Sequence, residues 1–320
     1  MGAGKERAGV GFAIVFPGQG SQSVGMLGAL GEAFPVVRQT YAEASEVLGY
    51  DLWRLVQAGP ETELDRTERT QPALLAAGVA VWRVWQEQGG AAPVVMAGHS
   101  LGEYTALVCA GALAFPDAVA LVAERGRYMQ DAVPQGAGAM AAVLGLADEQ
   151  VLAACEQAAQ GEVVSAANYN APGQVVVAGA AAAVQRVVEA ARSAGAKRAV
   201  VLAVSVPSHC ALMRPAAVRL TERLAALSIR TPGIPVLHNV DAAPRPDADG
   251  IREALAAQLY RPVRWTECVR AMAARGASAY LEAGPGKVLS ALNRRIVAEA
   301  AVLPLGDPDG LQVALARTAG

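Results

Sequence analysis

Short apolar runs alternate with longer segments of helical spacing along most of the chain. Two of these runs, 13–16 and 94–97, are each followed at once by a loop that contains glycine. A continuous apolar run of this length is typical of a strand that is buried on both faces, as in a parallel sheet. The alternation of such strands with helices predicts an α/β protein with a largely parallel sheet.

The middle of the chain has a different order of predicted elements. Strands are predicted at 138–146, 163–168, 174–178 and 198–204, and helices at 148–159, with Asp148 as N-cap, and at 181–193. The order β-α-β-β-α-β is that of a ferredoxin-like unit. We therefore predict a ferredoxin-like small subdomain at 136–205, inserted into a discontinuous core made of 1–135 and 206–320.

Composition and charge argue against several classes of protein. Hydrophobic residues make up 53% of the 320 residues and charged residues 18%, so the chain can bury a large core and is not disordered by composition. The net charge of −2, without a basic stripe, argues against nucleic-acid binding. Residues 1–10 show no signal peptide, and the longest uncharged stretch, 163–185, holds polar residues that a membrane span does not tolerate. We expect a cytoplasmic protein without a membrane segment.

Metal and cofactor motifs fail on inspection. The four cysteines form no CxxC pair, and no group of His, Cys and Asp has the spacing of metal ligands. Gly284-Pro285-Gly286-Lys287 is not a phosphate loop, because Leu281 and Val288 stand where that motif requires Gly and Ser or Thr. Gly18-Gln19-Gly20 is not a dinucleotide fingerprint, because Ser23 occupies the third glycine position. We expect reduced thiols and no cofactor.

Gly98-His99-Ser100-Leu101-Gly102 has the pattern G-x-S-x-G between a predicted strand and a predicted helix. In this context the pattern is that of a nucleophile elbow, which lifts the serine hydroxyl above the sheet at the positive end of the helix. The alternative is a chance turn of glycine and serine, which the strand-turn-helix context disfavours. Ser100 is therefore the predicted nucleophile, and the N–H of Leu101, the next residue, is a predicted oxyanion donor. Gln19, in a loop after the other strand, is expected to supply the second donor.

A serine nucleophile needs a general base, and the chain has three histidines. His99 neighbours Ser100 on the elbow, where adjacent side chains point apart. His238 follows an apolar run and could be an ordinary partly buried histidine. His209 lies in a loop between a strand and a helix, where catalytic groups gather in open α/β sheets. Elimination favours His209 without settling the choice.

Arg125 shares one face of its predicted helix with Leu121, Val122 and Met129, so its guanidinium lies on the apolar side. A buried guanidinium needs an anion. Two interpretations stay open from the residues alone. Arg125 either forms an internal ion pair with an Asp or Glu, or clamps a substrate carboxylate through a bidentate contact.

The chain resembles malonyl-CoA:acyl-carrier-protein transacylases from about residue 11 to about residue 300, because several of its segments occur in the order seen in that family. The segments are Phe16-Pro17-Gly18-Gln19-Gly20-Ser21-Gln22, Gly98-His99-Ser100-Leu101-Gly102-Glu103-Tyr104, Arg125-Gly126, Ser205-Val206-Pro207-Ser208-His209-Cys210-Ala211-Leu212-Met213, Asn239-Val240-Asp241, Gln258-Leu259-Tyr260 and Gly284-Pro285-Gly286-Lys287-Val288-Leu289. The family's fold, an α/β-hydrolase-like core with a ferredoxin-like insert, agrees with the predicted elements.

The resemblance implies a ping-pong transfer of malonyl from malonyl-CoA to the phosphopantetheine thiol of acyl carrier protein, for fatty acid or polyketide synthesis. Ser100 carries the malonyl group, His209 is the base, and the N–H groups of Gln19 and Leu101 hold the oxyanion. Arg125 holds the malonyl carboxylate. The main-chain carbonyl of Gln258 orients the histidine in place of an Asp, and His238 stands outside the family pattern. We expect a monomer.

Two alternatives accompany this interpretation. In related polyketide domains a Ser before the histidine accompanies methylmalonyl, and Ser208 stands there. Stand-alone fatty-acid enzymes with Ser at this place still use malonyl, so malonyl is the expected substrate and methylmalonyl the alternative. A serine thioesterase or other hydrolase shares the elbow, but it has no use for Arg125. A carrier-docking module without catalysis is disfavoured by the intact Ser100 and His209.

Overall fold

The computed structural model describes residues 11–204 and 206–319. Residues 1–10, in which no signal peptide is predicted, lie outside the described residues, as does Ser205, the first residue of one family segment. Within the described residues, no helix combines the length and the apolar character that crossing a membrane requires.

Strands and helices alternate along the chain, as the sequence predicts. The strands are β1 (Phe12–Phe16), β2 (Val95–Gly98), β3 (Gly138–Leu144), β4 (Val164–Ala171), β5 (Gln174–Ala180), β6 (Arg198–Val201), β7 (Val236–Leu237), β8 (Ala279–Glu282) and β9 (Ala301–Pro304). The helices are α1 (Gly28–Ala33), α2 (Pro35–Leu48), α3 (Leu52–Ala58), α4 (Glu61–Leu64), α5 (Thr67–Glu87), α6 (Gly102–Cys109), α7 (Phe115–Asp131), α8 (Asp148–Ala159), α9 (Ala181–Ser193), α10 (Arg214–Ala225), α11 (Ala248–Gln258), α12 (Trp265–Ala274), α13 (Val288–Ile296) and α14 (Pro308–Thr318).

The larger sheet has five strands in the order β7-β2-β1-β8-β9, and every neighbouring pair is parallel. Alternate residues of the central strand β1 enter different cores. Ile14 packs into the core that includes α5 and α7, whereas Ala13 and Val15 pack into the core that includes α12 and α13. Both faces of β1 are therefore covered, which explains why its sequence is apolar throughout.

The second sheet is antiparallel, with four strands in the order β4-β5-β3-β6. One face packs on α8 and α9, and the other contributes Met140 and Val176 to a second apolar cluster. The α/β fold class with a parallel sheet and an antiparallel, ferredoxin-like sheet is thus confirmed. All four strands lie between 136 and 205, although the subdomain boundaries themselves stay a prediction.

The bounds of all four strands of this region, and the N-cap of one helix, differ from the sequence prediction. Asp148 is the first residue of α8, and Ala147 occupies the N-cap position, where its main-chain N–H donates to the side chain of Gln150 at 2.9 Å. Strand β6 ends at Val201 rather than at 204, because its pairing with β3 stops at Ala141. The chain beyond β6 leaves the sheet and lines a cavity instead, as described below.

Candidate active site

Ser100 lies on a tight turn between β2 and α6, in the left-handed region with φ 51°. The turn closes only because its flanking residues lack side chains. A Cβ on Gly98 would lie 1.8 Å from the carbonyl carbon of Gly102, and a Cβ on Gly102 would lie 2.1 Å from the carbonyl oxygen of Phe16 in β1. These contacts explain the requirement for glycine on both sides of the serine, and the strained turn has the geometry of a nucleophile elbow.

The hydroxyl oxygen of Ser100 lies 2.8 Å from Nε2 of His209. On the other side of the ring, Nδ1 lies 2.7 Å from the main-chain carbonyl oxygen of Gln258. A carbonyl oxygen only accepts, so Nδ1 carries the proton and Nε2 is free to accept one from the serine. His209 also has positive φ, 62°, and its N–H donates to the carbonyl of Leu259 at 3.0 Å. Ser100, His209 and Gln258 thus form a hydrogen-bonded chain suited to nucleophilic catalysis.

The environment of His209 favours its neutral form. Burial first, and then the positive charge of Arg125, lower the pKa of His209 from 6.5 to about 3, although the hydrogen bond to Gln258 acts in the opposite direction. A neutral imidazole is the form that accepts a proton. The base is therefore ready for proton transfer throughout the neutral and mildly acidic range.

Arg125, on α7, is almost fully buried beside the nucleophile, with 1% of its surface exposed. One Nη1 proton is donated to Oε1 of Gln71 at 2.8 Å and one Nη2 proton to Oε1 of Gln258 at 3.0 Å. Nη2 also lies 3.4 Å from Oγ of Ser100. In the part of the chain that the structure describes, no carboxylate pairs directly with Arg125, so the internal ion pair considered from the sequence is not found there. Two of its five N–H donors, the one on Nε and the second on Nη1, have no partner among these residues and remain for a ligand.

The loop after β1 lies against the elbow, where a Cβ on Gly18 would be 2.4 Å from the carbonyl oxygen of His99. Gln19 and Leu101 both line the cavity in front of Ser100. Their main-chain N–H groups have no hydrogen-bond partner among residues 11–204 and 206–319. Two unpaired N–H groups from adjacent loops are what an oxyanion hole requires.

The cavity has a volume of about 120 Å³, with polar groups around Ser100 and mostly apolar walls. The apolar walls are formed by α7, by strands β3 and β5 and by the segment that follows β6. The residues are Met129, Met140, Val176, Leu202, Val204 and Val206. Ser208 also lines it, next to the predicted base. The cavity therefore lies between the antiparallel sheet and the helices of the core, with the nucleophile, the base and Arg125 all in its wall. No group of three or more His, Cys, Asp or Glu suited to a metal ion occurs among the described residues.

The other two histidines occupy different surroundings. His238 is fully buried, does not line the cavity, and its Nδ1 lies 2.7 Å from Oε1 of Glu103. His99 does line the cavity, but its Nε2 lies 2.8 Å from Oδ1 of Asn170, and burial lowers the pKa of His99. The structure therefore brings His209, and neither of these two, into hydrogen-bond contact with Ser100.

Three polar residues around the elbow were given no role from the sequence. Asn239 accepts from the N–H of Ser100 at 2.7 Å and donates to the carbonyl of Gly98 at 2.7 Å, so its amide holds the turn. Gln71 holds Arg125 from α5. Glu103 is fully buried in the first turn of α6. Asn239 and Glu103 belong to the family segments, but only their positions in space indicate what they contact, and Gln71 had no sequence signal.

Comparison with known proteins agrees with this geometry. Residues 13–315 match the acyl transferase domain family. The malonyl CoA-acyl carrier protein transacylase of Escherichia coli K12 is 57% identical over 304 residues, which are 95% of this chain and 98% of the relative. The crystal structure of an acyl carrier protein S-malonyltransferase from Vibrio cholerae has 59% identity and a TM-score of 0.93, covering 94% of this chain and 99% of that one. A malonyl-transacylase solved in complex with its type II PKS acyl-carrier protein has 57% identity and a TM-score of 0.95. The match covers 96% of this chain and 99% of that one.

Proposed function

The chain belongs to the malonyl CoA-acyl carrier protein transacylases, within the acyl transferase domain family, and from this premise we propose that it transfers malonyl from malonyl-CoA to the phosphopantetheine thiol of acyl carrier protein. One observation carries the proposal. A serine nucleophile that is hydrogen-bonded to a histidine base lies beside a buried arginine, and this arginine has no carboxylate partner among the described residues. This arrangement suits an acyl group that carries its own carboxylate.

In the first half-reaction, Oγ of Ser100 attacks the thioester carbonyl carbon of malonyl-CoA while Nε2 of His209 takes the hydroxyl proton. The oxyanion that forms accepts hydrogen bonds from the N–H groups of Gln19 and Leu101. When the carbon–sulfur bond breaks, the imidazolium returns its proton to the sulfur, and coenzyme A leaves as a thiol. The product is a malonyl ester of Ser100.

The second half-reaction repeats these steps with a different thiol. The phosphopantetheine thiol of the carrier protein gives its proton to His209 and attacks the ester carbonyl carbon. Collapse of the intermediate breaks the ester bond, and the proton passes back to Ser100. Both half-reactions use only groups of this chain and its substrates, so we propose that no cofactor takes part. The pathway served, fatty acid or polyketide synthesis, follows from the carrier protein that it meets.

Arg125 is proposed to hold the malonyl carboxylate during both half-reactions. Its free N–H donors and its buried position support a bidentate contact, which is strongest where water is excluded. A thioesterase with the same elbow would need water to reach the ester, whereas the apolar cavity walls favour the carrier thiol. Because the small side chain of Ser208 lines the cavity beside His209, methylmalonyl is a second candidate for the acyl group.

Intact mass spectrometry tests the proposal directly. Incubation with malonyl-CoA in the absence of carrier protein should add the mass of one malonyl group, and subsequent addition of holo acyl carrier protein should remove it. Ser100→Ala should acquire no malonyl group. A label that persists in Ser100→Ala, or an ester that water removes as fast as the carrier protein does, would overturn the assignment. Light scattering of the eluted protein tests the expected monomer in the same preparation.

A further inference from the structure

Glu103 is a fully buried acidic residue behind the nucleophile, and the proposed reaction does not use it. Its Oε2 accepts from the main-chain N–H of Asn239 at 2.8 Å and from Nε2 of Gln258 at 2.9 Å. Its Oε1 lies 2.7 Å from Nδ1 of His238. The first two partners can only donate, so Oε2 acts purely as an acceptor.

The state of His238 decides whether Glu103 carries an uncompensated charge. Nε2 of His238 is buried and has no hydrogen-bond partner among the described residues. A bare lone pair tolerates this position, whereas a buried N–H without an acceptor is costly. Nε2 is therefore unprotonated, and Nδ1 carries the proton and donates it to Glu103. Glu103 is then an ionised carboxylate beside a neutral imidazole.

The side-chain amide of Gln258 connects this carboxylate with Arg125. Its Nε2 donates to Glu103 and to the carbonyl of Ser100 at 2.9 Å, so its Oε1 must face the other way. That oxygen accepts from Nη2 of Arg125 at 3.0 Å. One amide thus separates a buried negative charge from a buried positive charge, and its dipole is aligned with both.

We propose that Glu103 is the resident counter-ion of Arg125 and a specificity-determining residue, which limits how tightly the site holds the carboxylate of the acyl group. This inference rests on the proposed function. Glu103 compensates Arg125 through Gln258 without occupying the donors that face the cavity. A ping-pong enzyme must release the carboxylate in every cycle, and tighter binding of substrate and transition state alike lowers KM without raising kcat.

The variant Glu103→Gln removes the charge and preserves the hydrogen bonds. A single oxygen serves both Asn239 and Gln258, so the amide oxygen of the new glutamine can take its place. The new NH₂ group would then face Nδ1 of His238, which accepts it only in the other tautomer, so a proton moves to the buried Nε2 and the variant loses some stability. His238 does not line the cavity, so the change that reaches Arg125 is the loss of one negative charge.

The readouts are the KM for malonyl-CoA and the ratio of kcat/KM for malonyl-CoA to that for acetyl-CoA, which has no carboxylate. With the opposing charge gone, Glu103→Gln should lower the KM for malonyl-CoA and raise the ratio about 3- to 30-fold. Glu282→Gln is the control, because Glu282 is also fully buried but binds main-chain N–H groups of α13 outside the cavity. It should lower the melting temperature and leave the ratio unchanged. An unchanged or lower ratio in Glu103→Gln would overturn the proposal.

A second variant covers the case in which Glu103→Gln does not fold. Combining it with Gln71→Glu moves the negative charge to the other end of Arg125, where Gln71 already accepts from Nη1. This pair should fold, and because a negative charge again lies beside Arg125, its malonyl-to-acetyl ratio of kcat/KM should be no higher than that of the unmodified protein. If the pair also fails to fold, the role of Glu103 is to make its hydrogen bonds and not to compensate the charge of Arg125, and the proposal is wrong. Failure of the proposed function would look different, because the unmodified protein would then form no malonyl ester.

Discussion

Nδ1 of His209 donates a hydrogen bond of 2.7 Å to the main-chain carbonyl oxygen of Gln258, at the position where a serine triad has a carboxylate. A carbonyl fixes the tautomer as well as an Asp does, but it brings no charge. Arg125 lies close enough to lower the pKa of His209. A carboxylate at this place would attract the guanidinium and occupy the donors that the substrate needs. The neutral orienting group is therefore compatible with a site that binds a carboxylate.

Removal of the base should slow acylation strongly while leaving the nucleophile in place. His209→Ala is expected to reduce the rate at which Ser100 acquires malonyl by about 10²–10⁴-fold, the usual contribution of a positioned general base. Rapid-quench mass spectrometry measures this rate, and circular dichroism checks the fold. A loss smaller than tenfold in a folded variant would mean that another group accepts the proton.

The pH dependence of acylation should reflect the lowered pKa of His209. Burial and the charge of Arg125 lower that pKa to about 3, so the fraction of neutral, competent base stays constant as pH falls from 8 to 5. The single-turnover acylation rate is therefore expected to be flat over this range. Were the base an ordinary histidine, the rate would fall by half near pH 6.5. A midpoint there would show that the base is solvated or is a different residue.

The elbow itself should tolerate no side chain on its inner flank. A Cβ at position 102 would lie 2.1 Å from the carbonyl oxygen of Phe16, which belongs to the central strand and cannot give way. Gly102→Ala is expected to lower the free energy of unfolding by more than about 3 kcal/mol, or to prevent folding. Gly233→Ala is the matched control, because its nearest neighbour is the carbonyl of Ala110 at 3.5 Å. The free energy of unfolding of Gly233→Ala, measured in urea, should differ from that of the unmodified protein by less than about 0.5 kcal/mol.

The sequence predicts those parts of the site in which local pattern and position coincide. The strand-turn-helix context places Ser100, and helical spacing places Arg125 on a buried face, as the structure has it. Elimination among three histidines and the family pattern both favour His209, the one that contacts Ser100. Glu103, Asn239 and Gln71 escape such reasoning. Their contacts join residues 54 to 155 positions apart, so no local pattern reports them.

The order of elements in the antiparallel subdomain can be predicted from the sequence for a similar reason, whereas the residues at which its strands end cannot. The order β-α-β-β-α-β of the predicted elements indicates the antiparallel layer. The residues after Val201 continue the apolar run, but their apolar side chains line the cavity rather than extend the strand. Apolar residues that line a cavity and apolar residues in a sheet give the same sequence pattern. Only the tertiary arrangement separates them.

Arg125 should determine the preference for an acyl group with a carboxylate. Arg125→Ala is expected to reduce kcat/KM for malonyl-CoA by about two orders of magnitude or more, because a desolvated charge pair is lost. Acetyl-CoA has nothing to pair with the guanidinium, so its kcat/KM should change much less. The ratio of the two should therefore narrow or invert. Arg125→Lys should rescue malonyl transfer poorly, since an ammonium group lacks the planar fork.

A structural role for Arg125 makes a different prediction, and the two can be separated in one experiment. Arg125 holds Gln71 and Gln258 as well as facing the cavity, so its loss could loosen both amides. In that case the melting temperature would fall and both substrates would be slowed alike, because Gln258 also orients His209. Measuring both kcat/KM values on variants whose melting temperature is known resolves the question. An unchanged malonyl-to-acetyl ratio would remove Arg125 from the binding site, and with it the physical reason for a dicarboxylic acyl group in this cavity.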